Sequence, residues 1–248
     1  MEQYSQRKRK INHEKTEISR FLKVQTMNNN AKDILKNTFL AAFGLFLFAF
    51  GAYLTIQANI GVAPWDAFNL GLASTFNIKY GTASIIVSLV IVLIDILLKE
   101  KIGIGMFLDA ILVGKFVDLF NFIGLVPLMK NIFSGLGVMF IGMFIMGFSQ
   151  FLYMKAGLGC GPRDTLLVGL KRKSKKIPIG VISIFILATV TLIGALLGGK
   201  IGIGTLIAAF LEGPIMQLDF RIVRFDATAI SHQGIIDSFK TVFKKKLT

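Results

Sequence analysis

The sequence predicts an all-α integral membrane protein with six transmembrane helices. They are arranged as two inverted three-helix repeats, each with a short extra helix after its first span. Three observations predict this. The 248 residues are 54% hydrophobic and only 17% charged, with a mean hydropathy of +0.67, too little polar surface for a soluble domain of this size. Six apolar stretches approach the ~20 residues that cross a hydrocarbon core. And one Pro-x-Asp segment occurs twice, once in each half of the chain.

The chain opens with a basic arm, residues 1–33, which carries Arg7, Lys8, Arg9 and Lys10 in succession. It lacks the apolar core and small-residue cleavage site of a signal peptide and reads as a cytoplasmic arm. The first membrane repeat, 34–130, holds predicted spans at 37–57, 82–98 and 103–123, with a short helix at 64–77. The second, 131–220, holds spans at 133–153, 179–198 and 202–220, with a short helix at 162–172. Both short helices open on a proline, Pro64 and Pro162, which the first helical turn tolerates because its N–H would be unpaired anyway. A basic tail, 221–248, closes the chain.

The repetition is detailed. ANIGVAPWDAFNLGL at 58–72 and AGLGCGPRDTLLVGL at 156–170 share Ala, Gly, Pro, Asp, Gly and Leu at a shift of 98. One residue further on in register, KIGIG occurs at 101–105 and again at 200–204. Each copy carries three spans, an odd number, so the second copy enters the bilayer from the opposite side. Lysine and arginine agree. With the amino terminus in the cytoplasm, 24 basic residues fall on cytoplasmic segments and only Lys79, Lys130 and Lys200 on outer ones, as the positive-inside rule requires. Both termini are therefore expected in the cytoplasm.

Several function classes lose support. The single cysteine, Cys160, excludes a disulfide framework within one chain, and the two histidines, His13 and His232, fall in the polar ends. No HExxH, Walker A or G-x-S-x-G pattern is present, so no enzyme, metal site or cofactor is expected. The net charge of +14 reads as topology and attraction to anionic lipid at the basic termini, Lys244 to Lys246 among them, rather than as nucleic-acid binding.

The repeated G-x-x-P-x-D element and the glycines of the third spans carry a family resemblance. Gly61, Pro64, Trp65, Asp66, Gly103, Gly105, Gly114 and Asp118 bear it in the first half. Gly159, Pro162, Asp164, Gly202, Gly204, Thr205, Gly213 and Pro214 bear it in the second. Over about residues 37–220 the chain resembles the bacterial YczE/YyaS/YitT membrane proteins, most of all the YczE type. The resemblance implies a multi-pass protein of the bacterial plasma membrane. It implies no particular chemistry.

Candidate site residues follow from cost and symmetry. Asp66 and Asp164 sit at the starts of the short helices, where a carboxylate first of all complements the helix dipole; the functional alternative is an anion or solute site. Arg163 adds a forked cation there, and Trp65 reads as an interfacial aromatic on the outer side. Ionisable residues inside spans are functional candidates by default. Lys115 and Asp118, three apart, can neutralise each other. Asp109 and Glu212 have no sequence-local cation and no acid at the corresponding position of the other copy, so they answer to something asymmetric, such as a solute, cation or proton. Asp95 lies near the inner end and can reach the interface. Gln217 stands where the first copy has Asp118. Gly103, Gly105, Gly114, Gly202, Gly204 and Gly213 suit close helix packing or hinging, and Gly213-Pro214 can break or kink the last span.

The leading expectation is a small-solute transporter, or a membrane solute-binding subunit, with its site between the repeats. The alternative is a non-transporting accessory protein that holds a partner enzyme through the basic loop Lys171 to Lys176. The chain could act as a homo-oligomer or with a partner protein. A reporter fused after Lys200 should prove extracytoplasmic; a cytoplasmic reporter would contradict the topology.

Overall fold

The structure, a computed structural model, describes residues 31–225. The basic arm before residue 31 and the tail after residue 225, with the anionic-lipid sites expected on them, lie outside the described residues. Within them the chain is all helical. Eight helices follow in order: α1 (Ala31–Gln57), α2 (Pro64–Phe76), α3 (Tyr80–Leu97), α4 (Ile104–Ile123), α5 (Ile132–Lys155), α6 (Pro162–Lys173), α7 (Ile179–Leu196) and α8 (Ile203–Ile222). Five of them, α1, α3, α5, α7 and α8, are long and apolar enough to cross a membrane. The remaining long helix, α4, has 20 residues but carries Asp109, Lys115 and Asp118. The short helices α2 and α6 begin on Pro64 and Pro162 in their first turns.

The centre is the α1–α5 pair. Gly51 and Gly142 face each other so closely that a Cβ on either would come within 2.6–2.7 Å of the other's carbonyl oxygen. Small residues at a helix crossing let backbones approach, and in lipid that packing is the main source of association. Ala41, Leu45, Ala49, Ala52 and Tyr53 bury the rest of α1. On its other side α1 meets α4 through aromatic edges, with Phe46 and Phe50 each 5.1–5.2 Å from the Phe120 ring. The Tyr53 hydroxyl is satisfied twice: it donates to the Val126 carbonyl (2.8 Å) and accepts from the Val126 N–H (2.9 Å).

Two crossings tie the halves together, and they are the same contact made twice. The N–H of Gly105, at the start of α4, donates to the Leu158 carbonyl in the α5–α6 loop, 2.8 Å away. The N–H of Gly204, at the start of α8, donates to the Ile60 carbonyl in the α1–α2 loop, also 2.8 Å away. Leu158 and Ile60 correspond within the sequence repeat, as do Gly105 and Gly204. The loop glycines beside them, Gly61 (φ +104°) and Gly159 (φ +119°), adopt a backbone that L side chains rarely take. Each lies against the KIGIG glycine of the opposite half, Gly61 on Gly202 and Gly159 on Gly103. Orphan helix N–H groups thereby find carbonyl partners where lipid offers none.

The third helices of the halves behave differently. In the first, α3 packs on α4. A Cβ on Gly114 would come within 2.6 Å of the Gly81 carbonyl, and the Gly81 N–H donates to Asp118 Oδ1 at 2.8 Å. In the second, the corresponding Gly180 and Gly213 meet nothing within 4 Å, and Gln217 is exposed. The expectation that Gly213 packs closely is therefore corrected, while Gly103, Gly105, Gly114, Gly202 and Gly204 all lie against backbone of another element. The expected break at Gly213-Pro214 is also corrected, since α8 runs from Ile203 to Ile222 with Pro214 inside it. Apolar side chains on the outside of α7, among them Ile184, Phe185 and Leu196, present the surface a lipid environment favours.

Gly61→Ala combines a disfavoured backbone with a clash on Gly202. It should cost roughly 2–4 kcal/mol in a denaturation series on detergent-solubilised protein. Gly137→Ala, on an exposed helical position with nothing within 4 Å, should instead be neutral or stabilise by up to about 1 kcal/mol.

Candidate functional site

The starts of α2 and α6 converge on one interior space. Because Pro64 and Pro162 hold the first turns of these helices, Asp66 and Asp164 sit on corresponding turns, and both line a cavity of about 150 Å³. The α4 residue Asp109 and the α8 residue Glu212 complete four carboxyls around it, with Arg163 the one basic residue on its wall among the described residues. Ser84 and Ser88 from α3, Ser149, Gln150 and Tyr153 from α5, and Trp65 and Tyr80 supply the remaining polar and aromatic groups. A second cavity, about 300 Å³, shares Trp65, Asp66, Gln150, Arg163, Asp164 and Glu212 with the first. It continues between α7 and α8 past Leu187, Ala208, Gly213 and Met216.

Each charged group has a definite setting. Asp66 is 4% exposed and accepts a 2.7 Å hydrogen bond from the Tyr80 hydroxyl. Asp164 takes a long contact, 3.5 Å, from Gln150 Nε2. Asp109 reaches the start of α6, where a Cβ on Gly161 would come within 2.8 Å of its Oδ2; glycine there keeps the carboxyl's place open. The Arg163 guanidinium lies over Trp65, 5.1 Å from the ring centroid, a cation–π contact that leaves its N–H groups available. All four carboxyls are within electrostatic reach of Arg163. Among the described residues, none closes to an ion pair with it; the one ion pair is Arg172–Glu100 at 3.2 Å.

Residues 35–219 match the family described as a family of unknown function, DUF6198. The chain belongs to that family. Relatives agree along most of its length. "Uncharacterized membrane protein YczE" of Bacillus subtilis (strain 168) is 35% identical over 186 residues, 74% of this chain and 85% of the relative. An "Uncharacterized protein" of Haemophilus influenzae is 30% identical over 188 residues, covering 76% and 85%. "Uncharacterized protein YyaS" of B. subtilis is 26% identical over 183 residues, covering 73% and 90%. No solved structure matches. The matched span of this DUF6198 chain contains all eight helices but for their outermost residues, and with its apolar helices it is a multi-pass membrane protein.

Five of the residues singled out from sequence, Asp66, Asp109, Arg163, Asp164 and Glu212, stand around the cavity. Three do not. Lys115 is exposed and makes no ion pair with Asp118 among the described residues; Asp118 serves the Gly81 N–H instead. The spacing permits that pair, but Lys115 turns outward and Asp118 turns to the backbone donor on α3. Gln217 is exposed on the open side of α8. Trp65 also lines the cavity, beneath Arg163. One reading of environment changes. Asp95 is fully buried with neither carboxyl oxygen hydrogen-bonded among the described residues, so it does not reach the interface. The residues that sequence reasoning missed are Tyr80, Gln150 and Tyr153, with Ser84, Ser88 and Ser149. Ser84 and Ser88, four apart on one face of an otherwise apolar helix, were a readable signal; the others were not.

Tyr80→Phe should leave Asp66 buried without its donor. It should lower stability by about 1.5–3 kcal/mol, the cost of losing a hydrogen bond to a charged group, measured by denaturation of the purified protein.

Proposed function

We propose that this chain is a small-solute transporter, or the membrane solute-binding subunit of one. Its core is six spans, α4 being the sixth, formed by two three-helix units of opposite orientation with the site between them. The amino and carboxyl termini face the cytoplasm of a bacterial cell. This reading involves no catalysis.

The observation that carries the proposal is the asymmetry of two corresponding seams beside one polar cavity. Gly81, Gly114 and Asp118 hold α3 shut against α4. Their counterparts Gly180, Gly213 and Gln217 stand open, and the second cavity runs through that gap. In an inverted pair of units, the shut seam faces outward and the open seam faces the cytoplasm. One state of an alternating-access cycle has that form, and its partner state exchanges the two seams. The glutamine at 217 can accept from the Gly180 N–H as Asp118 does from Gly81, without carrying a charge across the bilayer. The cross-half hydrogen bonds at Gly105 and Gly204 suit a pivot, since both lie at the helix starts and away from the seams.

A scaffold for a partner enzyme is less well supported. Two cations of the basic loop are already engaged: Lys171 donates to the Lys175 and Ile177 carbonyls, and Arg172 pairs with Glu100.

The test needs no ligand. In a Cys160→Ser background, cysteines replacing Gly180 and Gly213 should form a disulfide on mild oxidation in reconstituted vesicles, because the seam closes in the other state. The cross-linked protein should expose a third cysteine, at Ser84, to an impermeant maleimide on the outer side. A static scaffold would neither cross-link nor change the reactivity of position 84.

A further inference from the structure

The cavity carries more information than its position. Four carboxyls meet one guanidinium on its wall, and the guanidinium can offset at most one negative charge. Among the described residues no three of His, Cys, Asp and Glu gather closely enough to hold a metal ion. The acids are spread around a space instead of converging on a point. A second, independent feature marks where a ligand's donor would go. Tyr153 is 5% exposed and lines the cavity, yet its hydroxyl has no hydrogen-bond partner among the described residues. That hydroxyl and Asp109 Oδ2 both border the space kept free by Gly161. The other buried tyrosines, Tyr53 and Tyr80, have their hydroxyls bonded, and a buried hydroxyl without a partner is costly.

We propose that the cavity binds a protonated amine, its ammonium group donating to Tyr153, Asp109 and Asp164, with an apolar body extending into the second cavity. An ammonium supplies the N–H donors that a carboxylate-rich wall and an orphan hydroxyl accept. The adjoining space beside Met146, Leu187, Ala208 and Met216 suits hydrocarbon, and a mostly apolar pocket with a few placed polar groups is the common form of a small-molecule site. Arg163, stacked on Trp65, offsets one negative charge and leaves the others for the ligand. This inference rests on the reading of the cavity as a ligand site and adds the class of ligand.

The probe is phenethylamine, compared with 2-phenylethanol, 3-phenylpropionate and the quaternary phenethyltrimethylammonium, titrated calorimetrically into the full chain in lipid nanodiscs. Phenethylamine should bind at least about tenfold more tightly than the other three, an energy difference of one charge-assisted hydrogen bond. Asp109→Asn should weaken it by about 10- to 100-fold. Tyr153→Phe removes an unpartnered hydroxyl, so thermal stability should hold or rise while amine affinity falls roughly 3- to 10-fold. Tighter binding of 3-phenylpropionate would overturn the inference in favour of an anion site at Arg163. No amine binding, or binding indifferent to Tyr153→Phe in a folded variant, would overturn it as well. The seam cross-linking experiment is independent of any ligand, so it can succeed where this one fails and fail where this one succeeds.

Discussion

In hydrocarbon there is no water to take up a free backbone group, and each unsatisfied N–H costs several kcal/mol. A helix start buried against other helices, as those of α4 and α8 are, must likewise find its acceptor in the protein. This chain solves the problem reciprocally: the N–H of Gly105 uses the carbonyl of Leu158, and the N–H of Gly204 uses the carbonyl of Ile60. Each half supplies the acceptor that the other half's third helix lacks. The glycines follow from this exchange. Gly61 and Gly159 bend the loops through left-handed backbone, and Gly103 and Gly202 leave the room that two backbones in contact demand.

With the loops clasped in this way, the turns that follow them are placed as well. Pro64 and Pro162 start α2 and α6 directly after the clasps, and Asp66 and Asp164 arrive at the cavity from corresponding directions. The rest of the cavity breaks the symmetry. Asp109 and Glu212 have no counterparts, Trp65 on one side answers to Arg163 on the other, and Tyr80 bonds Asp66 while Asp164 has only a long contact from Gln150. A duplicated scaffold thus surrounds an unduplicated lining, and the cavity has two distinguishable ends.

Much of this was legible in the sequence. Apolar runs marked the spans because a bilayer sets their length, and the prolines marked the short helices because only a first turn tolerates them. The repeated glycines pointed to backbone contacts at five of six positions. What was not legible has a common cause: sequence periodicity assigns a residue to a helix face but not to that face's neighbour. Gly114 and Gly213 are equivalent in sequence, yet one lies against α3 and the other meets nothing within 4 Å. Asp118 could have paired with Lys115, but a backbone N–H on another helix was nearer. Tyr80 and Tyr153 gave no signal at all, since an apolar helix absorbs a tyrosine without disturbing its pattern.

The proposed arrangement has the two units entering the membrane from opposite sides. Asn59 and Lys155 are exposed residues beside the two clasped loops, and single cysteines there, in a Cys160→Ser background, report the side of each. An impermeant maleimide added to intact cells should modify Asn59→Cys and leave Lys155→Cys untouched until the membrane is opened. Modification of both from the outside, or of neither, would contradict the inverted arrangement.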